Sequence, residues 1–272
     1  MTIKETLSWA SEQLQFSCER PLFEAELLLA YHLHKERVYL HVHEHDEVDN
    51  IDSFKSLIAR RASHEPYEYI VGKVSFYDIK LFVKQGVLIP RPETELLIDE
   101  VSSVIEKEDI TSIAEIGVGS GAISIVLARK FPSLKIIATD ISLDAIAIAK
   151  DNIEAFGLSD RITLVHTNLL DGIEEQIELV VSNPPYIASN ALLKSNVKDY
   201  EPHTALFGGE IGDELLKQII TQAKQKGASY LACEMGYDQK ASMEHFLTQS
   251  GVQYIKFYDD LAGLNRGFIT KF

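Results

Sequence analysis

The chain has 272 residues, 46% hydrophobic and 25% charged, the balance of a folded protein with one large domain or two unequal ones. Lys and Arg total 26 against 41 Asp and Glu, a formal charge of −15, which weighs against a protein built chiefly to grip nucleic acid. No apolar run reaches the ~18 residues of a membrane span.

Met1 to Thr6 open an acidic amphipathic segment with none of the marks of a secretion leader. Cys18 and Cys233 lie far apart and form neither a disulfide framework nor a metal knuckle. The chain therefore reads as cytoplasmic. Residues 1–67 read as a small all-α domain. Ile3, Leu7, Ala10 and Leu14 share one helical face. Pro21 stands at the start of a second helix whose buried side is Phe23, Leu27, Leu28 and Ala30. Ile51, Phe54, Leu57 and Ile58 predict a further helix behind the Asp49-Asn50 start signal.

Over 68–90 the texture changes to a β-hairpin linker. Tyr69-Ile70-Val71 and Leu81-Phe82-Val83 are β-prone, with Gly72 and Tyr77-Asp78 as turns. The remainder, 91–272, alternates strand and helix from about residue 94. Strands are predicted at Ile113–Ile116, Leu134–Ala138, Ile162–Val165, Leu179–Val181 and 229–233, with two more near the end. Helices fall at Ser120–Lys130, Ser142–Ala155, 211–226 and 238–249. Repeated βα units imply an α/β, Rossmann-like domain with a parallel sheet and helices on both faces. Ligands of such sheets bind beyond the carboxyl ends of the strands, where the strand order reverses.

The first of these strands runs into Glu115-Ile116-Gly117-Val118-Gly119-Ser120-Gly121-Ala122. Glycines there permit a tight turn and close approach of a ligand to the backbone, and the next helix offers free N–H groups. Asp140 closes the next strand about 20 residues on, where a carboxylate can hold a ribose diol. A turn whose glycines serve geometry alone is the alternative. The loop by itself does not separate NAD from S-adenosylmethionine. Glu115 favours the latter, because it can hold a cofactor ammonium group that NAD lacks.

The fourth strand ends in Ser182-Asn183-Pro184-Pro185-Tyr186. Two prolines remove N–H donors and stiffen the backbone. The Asn183 side-chain oxygen and the Pro184 carbonyl can accept the two N–H bonds of a planar NH2 group. Tyr186 can lie against the flat face of an amide or base. Such a corner aims a weakly nucleophilic nitrogen at an electrophilic methyl.

Asn183-Pro184-Pro185-Tyr186 with the Glu115–Gly121 loop resembles the amino-group methyltransferases that use S-adenosylmethionine. Four further stretches narrow the likeness to the HemK-type release factor glutamine methyltransferases. Ile89 to Glu95 reads IPRPETE, and Glu65 to Gly72 resembles that family's EPxxYIxG hinge. Glu201-Pro202 with Ala205 to Gly212 resembles its EPxxALFGGxxG stretch. Asp260 to Gly263 with Arg266 resembles its DLAGxxR region.

The resemblance implies a protein substrate, the glutamine of the Gly-Gly-Gln loop in class 1 peptide chain release factors, methylated on its side-chain nitrogen. It implies that Glu115 and Gly117, Val118, Gly119, Ser120 and Gly121 cradle the methionine part of the cofactor and that Asp140 holds the ribose. Asn183 to Tyr186 would hold the glutamine amide, with Asn183, Pro184 and Tyr186 in the catalytic role and Asn183 also beside the cofactor. Asn168 stands where the family often carries an acidic or aromatic residue beside the adenine, and Glu115 where Asp is commoner. The helical domain would recognise the release factor, and the protein is expected to act as a monomer without membrane or nucleic acid.

NPPY alone is shared with DNA adenine and RNA guanine methyltransferases, which extract a base from the stack. The charge and the lack of an extra target-recognition segment oppose that rival. His32, His34, His41, His43 and His45 crowd the N-terminal part, but no metal-site spacing accompanies them. Arg91 either pairs with a carboxylate near the cofactor or orients its loop.

Overall fold

The structure is a computed structural model describing residues 1–272. It resolves into two compact units, 1–73 with 193–200, and 74–192 with 201–272.

The first unit is helical. Helix α1 (Ile3–Leu14) begins in a capping box, with Thr2 and Glu5 each accepting from the other's backbone N–H. Helix α2 (Pro21–Leu33) has proline in its first turn and closes on His34 at φ 53°. Helices α3 (Arg37–Val42), α4 (Ile51–Ala62) and α5 (Tyr67–Val71) complete the N-terminal part. The apolar faces of α1, α2 and α4 meet around Leu14, Leu28, Leu29, Phe54 and Ile58. The histidines serve local order: His43 stacks on Tyr39 at 4.0 Å and its ring nitrogen bonds Asp46. The 193–200 segment joins this unit, where the Tyr200 hydroxyl donates to the Ser63 carbonyl at 2.6 Å.

Tyr69-Ile70-Val71, expected as a strand, is helical. The Pro66 carbonyl accepts from the N–H groups of Tyr69 and Ile70, and Gly72 ends the turn at φ 73°. All three side chains are buried, so packing overrides β propensity. The hairpin pairs β1 (Lys73–Phe76) with β2 (Ile79–Phe82) across Tyr77-Asp78.

In the second unit, α6 (Glu93–Glu108) is a helix that the strand–helix alternation did not include. Its buried positions, Leu97, Ile98, Val101 and Ile105, do follow helical spacing. There follow β3 (Ser112–Ile116), α7 (Ala122–Lys130), β4 (Lys135–Asp140), α8 (Leu143–Ala155), β5 (Ile162–His166) and β6 (Leu179–Ser182). Next come β7 (Ile187–Ala188), α9 (Ser195–Lys198, within the segment of the first unit), β8 (Phe207–Gly209) and α10 (Glu214–Gln225). The chain ends with β9 (Tyr230–Glu234), α11 (Lys240–Gln249), β10 (Tyr254–Asp259) and β11 (Asn265–Lys271).

The main sheet has the order β10-β11-β9-β6-β3-β4-β5. β9, β6, β3, β4 and β5 pair in parallel, and β11 alone is reversed, antiparallel to β9 on one side and to the edge strand β10 on the other. One apolar layer packs α6, α7 and α8 against the sheet, and another packs α10 and α11. From β3 the chain winds outward through β4 and β5, then returns to lay β6 on the other side of β3. That reversal is the switch point at which open α/β sheets bind ligands.

Asn152 of α8 ties the hairpin to the loop after β3. Its Oδ1 accepts from the Phe82 N–H at 2.8 Å, and its Nδ2 donates to the carbonyls of Phe82 (2.9 Å) and Ser120 (2.8 Å). Asn152 is 2% exposed, so no water replaces these bonds if they are lost. Asn152→Ala is expected to cost about 3 kcal/mol of unfolding free energy, three buried bonds at about 1 kcal/mol each, measured by urea denaturation.

Candidate active site

The register of β3 and β6 sets Ile116 opposite Ser182, and the Ser182 hydroxyl donates to the Ile116 carbonyl at 2.8 Å. The residues that follow, Gly117 and Asn183, therefore emerge side by side. Between them lies a cavity of about 350 Å³, within the usual range of small-molecule sites.

The glycine loop is held by its own backbone. The N–H groups of Gly117 and Val118 both donate to the Thr139 carbonyl at 2.9 Å, and the Gly119 N–H donates to Asp140 Oδ2 at 3.0 Å. Gly117 and Gly119 sit at φ 77° and 54°, where a side chain is strained. The other Asp140 oxygen accepts from the Ser142 N–H at 2.9 Å. Burial raises the Asp140 pKa, opposed by these N–H groups.

Glu115 is 1% exposed and forms part of the cavity wall. Its Oε2 accepts from the Ser124 N–H at 3.0 Å and from the Ser124 hydroxyl. Burial pushes its pKa up to about 8, with the Asp140 charge adding to the rise and Ser124 opposing it.

Ten of the twelve expected residues line the cavity: Glu115, Gly117, Val118, Gly119, Ser120, Asp140, Asn168, Asn183, Pro184 and Pro185. Gly121 and Tyr186 stand outside its wall. Gly121 caps α7 at φ 85°, against Ile125 and Ala149. The Tyr186 hydroxyl donates to Glu234 Oε1 at 3.0 Å, so its polar end is drawn toward a buried carboxylate. Burial raises the Tyr186 pKa, and the neighbouring Glu234 charge raises it further.

The corner is backed from two sides. A Cβ on Gly208 would collide with the carbonyl oxygen of Pro185, and one on Gly212 would press within 2.5 Å of the Tyr186 carbonyl oxygen. Gln239 Nε2 donates to the same Tyr186 carbonyl at 2.9 Å. Arg91 pairs with a carboxylate, one whose neighbour Pro202 lines the cavity, and the pair also holds the Arg91 loop. Arg91 bridges Glu201 at 2.6 Å, and Glu201, 4% exposed, also accepts from the Ile89 N–H at 3.3 Å. The IPRPETE and EPxxALFGG stretches are thus joined by one ion pair.

Sequence reasoning assigned no role to Thr94, Ser124, Glu234 or Gln239. Thr94 lies in the cavity wall, accepts from Asn183 Nδ2 at 2.9 Å and donates to Glu234 Oε2 at 2.8 Å. Burial raises the Glu234 pKa, while Thr94, Tyr186 and the Arg266 charge lower it. A lone charge closing the apolar strand Tyr230-Leu231-Ala232-Cys233-Glu234 was the available signal. Arg266 is held by Asp260 at 2.7 Å, which accounts for the DLAGxxR likeness.

Residues 5–72 match the family model of the PrmC N-terminal domain, and residues 92–199 that of the Methyltransferase small domain. The release factor glutamine methyltransferase of Dictyoglomus turgidum is 40% identical over 242 residues, 85% of this chain and 83% of that protein. That of Koribacter versatilis is 36% identical, over 98% of this chain and 97% of its own length. The Bifunctional methyltransferase of Rickettsia typhi is 35% identical over 97% of this chain, which spans 56% of that longer protein. Among solved structures, the hMettl16 catalytic domain in complex with the MAT2A 3'UTR hairpin 6 superposes with a TM-score of 0.59 at 20% identity. That match covers 71% of this chain and 75% of the other. The N-terminal domain of human METTL16 in complex with SAH gives 0.53 at 18% identity, covering 90% and 94%. At these identities the likeness is one of fold.

Because the folded state holds the Glu115 proton up to about pH 8 and the unfolded state releases it near 4.5, this group makes stability fall as pH rises between those values. Glu115→Gln is expected to remove that fall. Urea denaturation at pH 5 and pH 8 should show the difference between wild type and variant changing by roughly 4 kcal/mol.

Proposed function

The chain belongs to the family of release factor glutamine methyltransferases, and from that premise we propose how its residues move a methyl group from S-adenosylmethionine to a release factor glutamine. The observation that carries the reading is the Ile116–Ser182 register, which brings the glycine loop and the diproline corner to one cavity.

The cavity residues fit the cofactor. Glu115 is a buried carboxyl that lacks a cationic partner among its hydrogen bonds and carries a raised pKa, and an ammonium beside it would restore its charge. The glycine loop lets a ligand approach the backbone closely, and Asp140 ends β4 where a ribose diol would be held. Asn168 lies in the wall as a donor and acceptor for the adenine edge. When bound, S-adenosylmethionine supplies an electrophilic methyl on a sulfonium.

An amide nitrogen is a poor nucleophile, so orientation is what the chain must provide. Asn183 Oδ1 and the Pro184 carbonyl accept the two N–H bonds of the glutamine side chain and fix the face that meets the methyl. Positioning of this kind contributes about 7–11 kcal/mol in well-oriented systems. The apolar wall, with Val87, Ile116, Val118 and Leu169, keeps water from the transfer, in which charge is lost. Tyr186, with its hydroxyl on Glu234, supports the corner from behind.

The acceptor is read as the Gly-Gly-Gln glutamine of class 1 release factors, methylated at N5 and so tuning translation termination. The helical unit, which matches the PrmC N-terminal domain, is read as the part that recognises the factor. No helix is long and apolar enough to cross a membrane; the protein is read as acting in the cytoplasm as a monomer.

Incubation with S-adenosylmethionine and a class 1 release factor is expected to add one methyl to that glutamine, read by mass spectrometry of the digested factor. Methylation of DNA or RNA and not of the factor would overturn the reading. Asn183→Ala should lower kcat at least about 100-fold while leaving cofactor affinity within a few-fold. Asp140→Ala should weaken cofactor binding at least about 10-fold by calorimetry, the loss of one or two charge-assisted bonds.

A further inference from the structure

Asn183 works as an acceptor only if its amide faces the right way. The two ends of an Asn amide are nearly the same size, so packing alone does not choose between them; hydrogen bonding does. With Oδ1 toward the cavity the residue receives an NH2 group. Turned by half a rotation, it would meet that NH2 with its own.

The choice can be traced to Glu234, which is 1% exposed at the end of β9. As a carboxylate, the form that the Arg266 charge and the Thr94 and Tyr186 hydroxyls favour against burial, Glu234 accepts hydrogen bonds and has none to give. The two hydroxyls aimed at it, Thr94 at 2.8 Å and Tyr186 at 3.0 Å, must therefore direct their hydrogens inward. Thr94 has one hydroxyl hydrogen. With that hydrogen on Glu234, its oxygen offers Asn183 only lone pairs. The bond observed is the one this requires: Asn183 Nδ2 donates to Thr94 Oγ1 at 2.9 Å. Oδ1 is then the end left for the cavity. Thr94 is 4% exposed, so solvent does not compete for its oxygen.

We propose that Glu234, acting through the Thr94 hydroxyl, is the positioning group that fixes the Asn183 amide with its oxygen toward the substrate; this rests on the reading of Asn183 as the acceptor for a glutamine NH2. The pair is separated by 140 positions in sequence, and Glu234 lies outside the cavity wall. Glu234 sets the polarity of the catalytic corner from behind it.

Thr94→Val keeps the shape and removes the hydroxyl, Thr94→Ser keeps the hydroxyl, and Glu234→Gln leaves only one of the two hydroxyls an acceptor. With release factor as substrate, Thr94→Val is expected to lower kcat at least about 30-fold and Glu234→Gln at least about 5-fold. Thr94→Ser should stay within about 3-fold of wild type. Cofactor affinity by calorimetry should stay unchanged in all three, a split that general damage to the fold would not give. In an Asn183→Ala background, Thr94→Val should add no further loss. The Asn183 side-chain NH2 signals in a 1H–15N spectrum should move in Thr94→Val and return in Thr94→Ser, a readout that needs no methyl acceptor. Wild-type kcat in Thr94→Val, or unmoved Asn183 signals in that variant, would overturn the proposal. A wild-type protein that methylates no release factor would count against the proposed function, and the spectra would still decide the amide orientation.

Discussion

The alignment of two parallel strands governs the site. Ile116 and Ser182 face one another in the ladder, and the Ser182 hydroxyl fastens the two chain ends just before they diverge. Parallel pairing fixes register in steps of whole residues. A slip of one residue would exchange the faces of the side chains and carry Asn183 away from Gly117. The β3 loop and the β6 corner are stiff for different reasons, glycine geometry in one and ring closure in the other. Neither stiffness would matter without the pairing that brings them to the same cavity.

Acidic groups are buried in and behind the walls of that cavity to unusual depth. Glu115, Glu201 and Glu234 are each almost fully buried in a chain that is already strongly acidic. Burial of an unpaired charge is costly. Each has a specific answer: Ser124 for Glu115, Arg91 for Glu201, and Thr94 and Tyr186 with nearby Arg266 for Glu234. Glu201 and Glu234 are matched structurally. Glu115 has no cation beside it, and burial, with the Asp140 charge adding to it, holds its proton well above the ordinary range. The contrast separates Glu201, tied by an ion pair, from Glu115, whose hydrogen bonds come from Ser124.

What could be read from the sequence was local. The glycine loop, the diproline corner and Asp140 are legible because backbone conformation and strand ends are properties of short stretches, and all three meet at the switch point. The helix at Tyr67–Val71 is not legible locally, because its β-prone side chains become helical only against the buried surroundings that receive them. Glu93–Glu108 has helical apolar spacing, but it lies ahead of the first strand of the main sheet, where the strand–helix alternation does not reach. Thr94 and Glu234 could not be joined by inspection. Nothing in a linear text brings together residues so far apart until the β6–β9 pairing and the start of α6 converge. The Arg91–Glu201 bridge is of the same kind, linking two motifs recognised separately.

The backing of the corner by glycine constrains how the chain can vary. Gly208 and Gly212 are needed where they are because the carbonyls of Pro185 and Tyr186 occupy the space a methyl would fill. Gly208 is not in a left-handed conformation, so its intolerance comes from crowding alone. Neither glycine needs to touch a ligand for this to hold. Mutational drift at these two positions is therefore closed by a neighbour's backbone, which no compensating side-chain replacement can relieve.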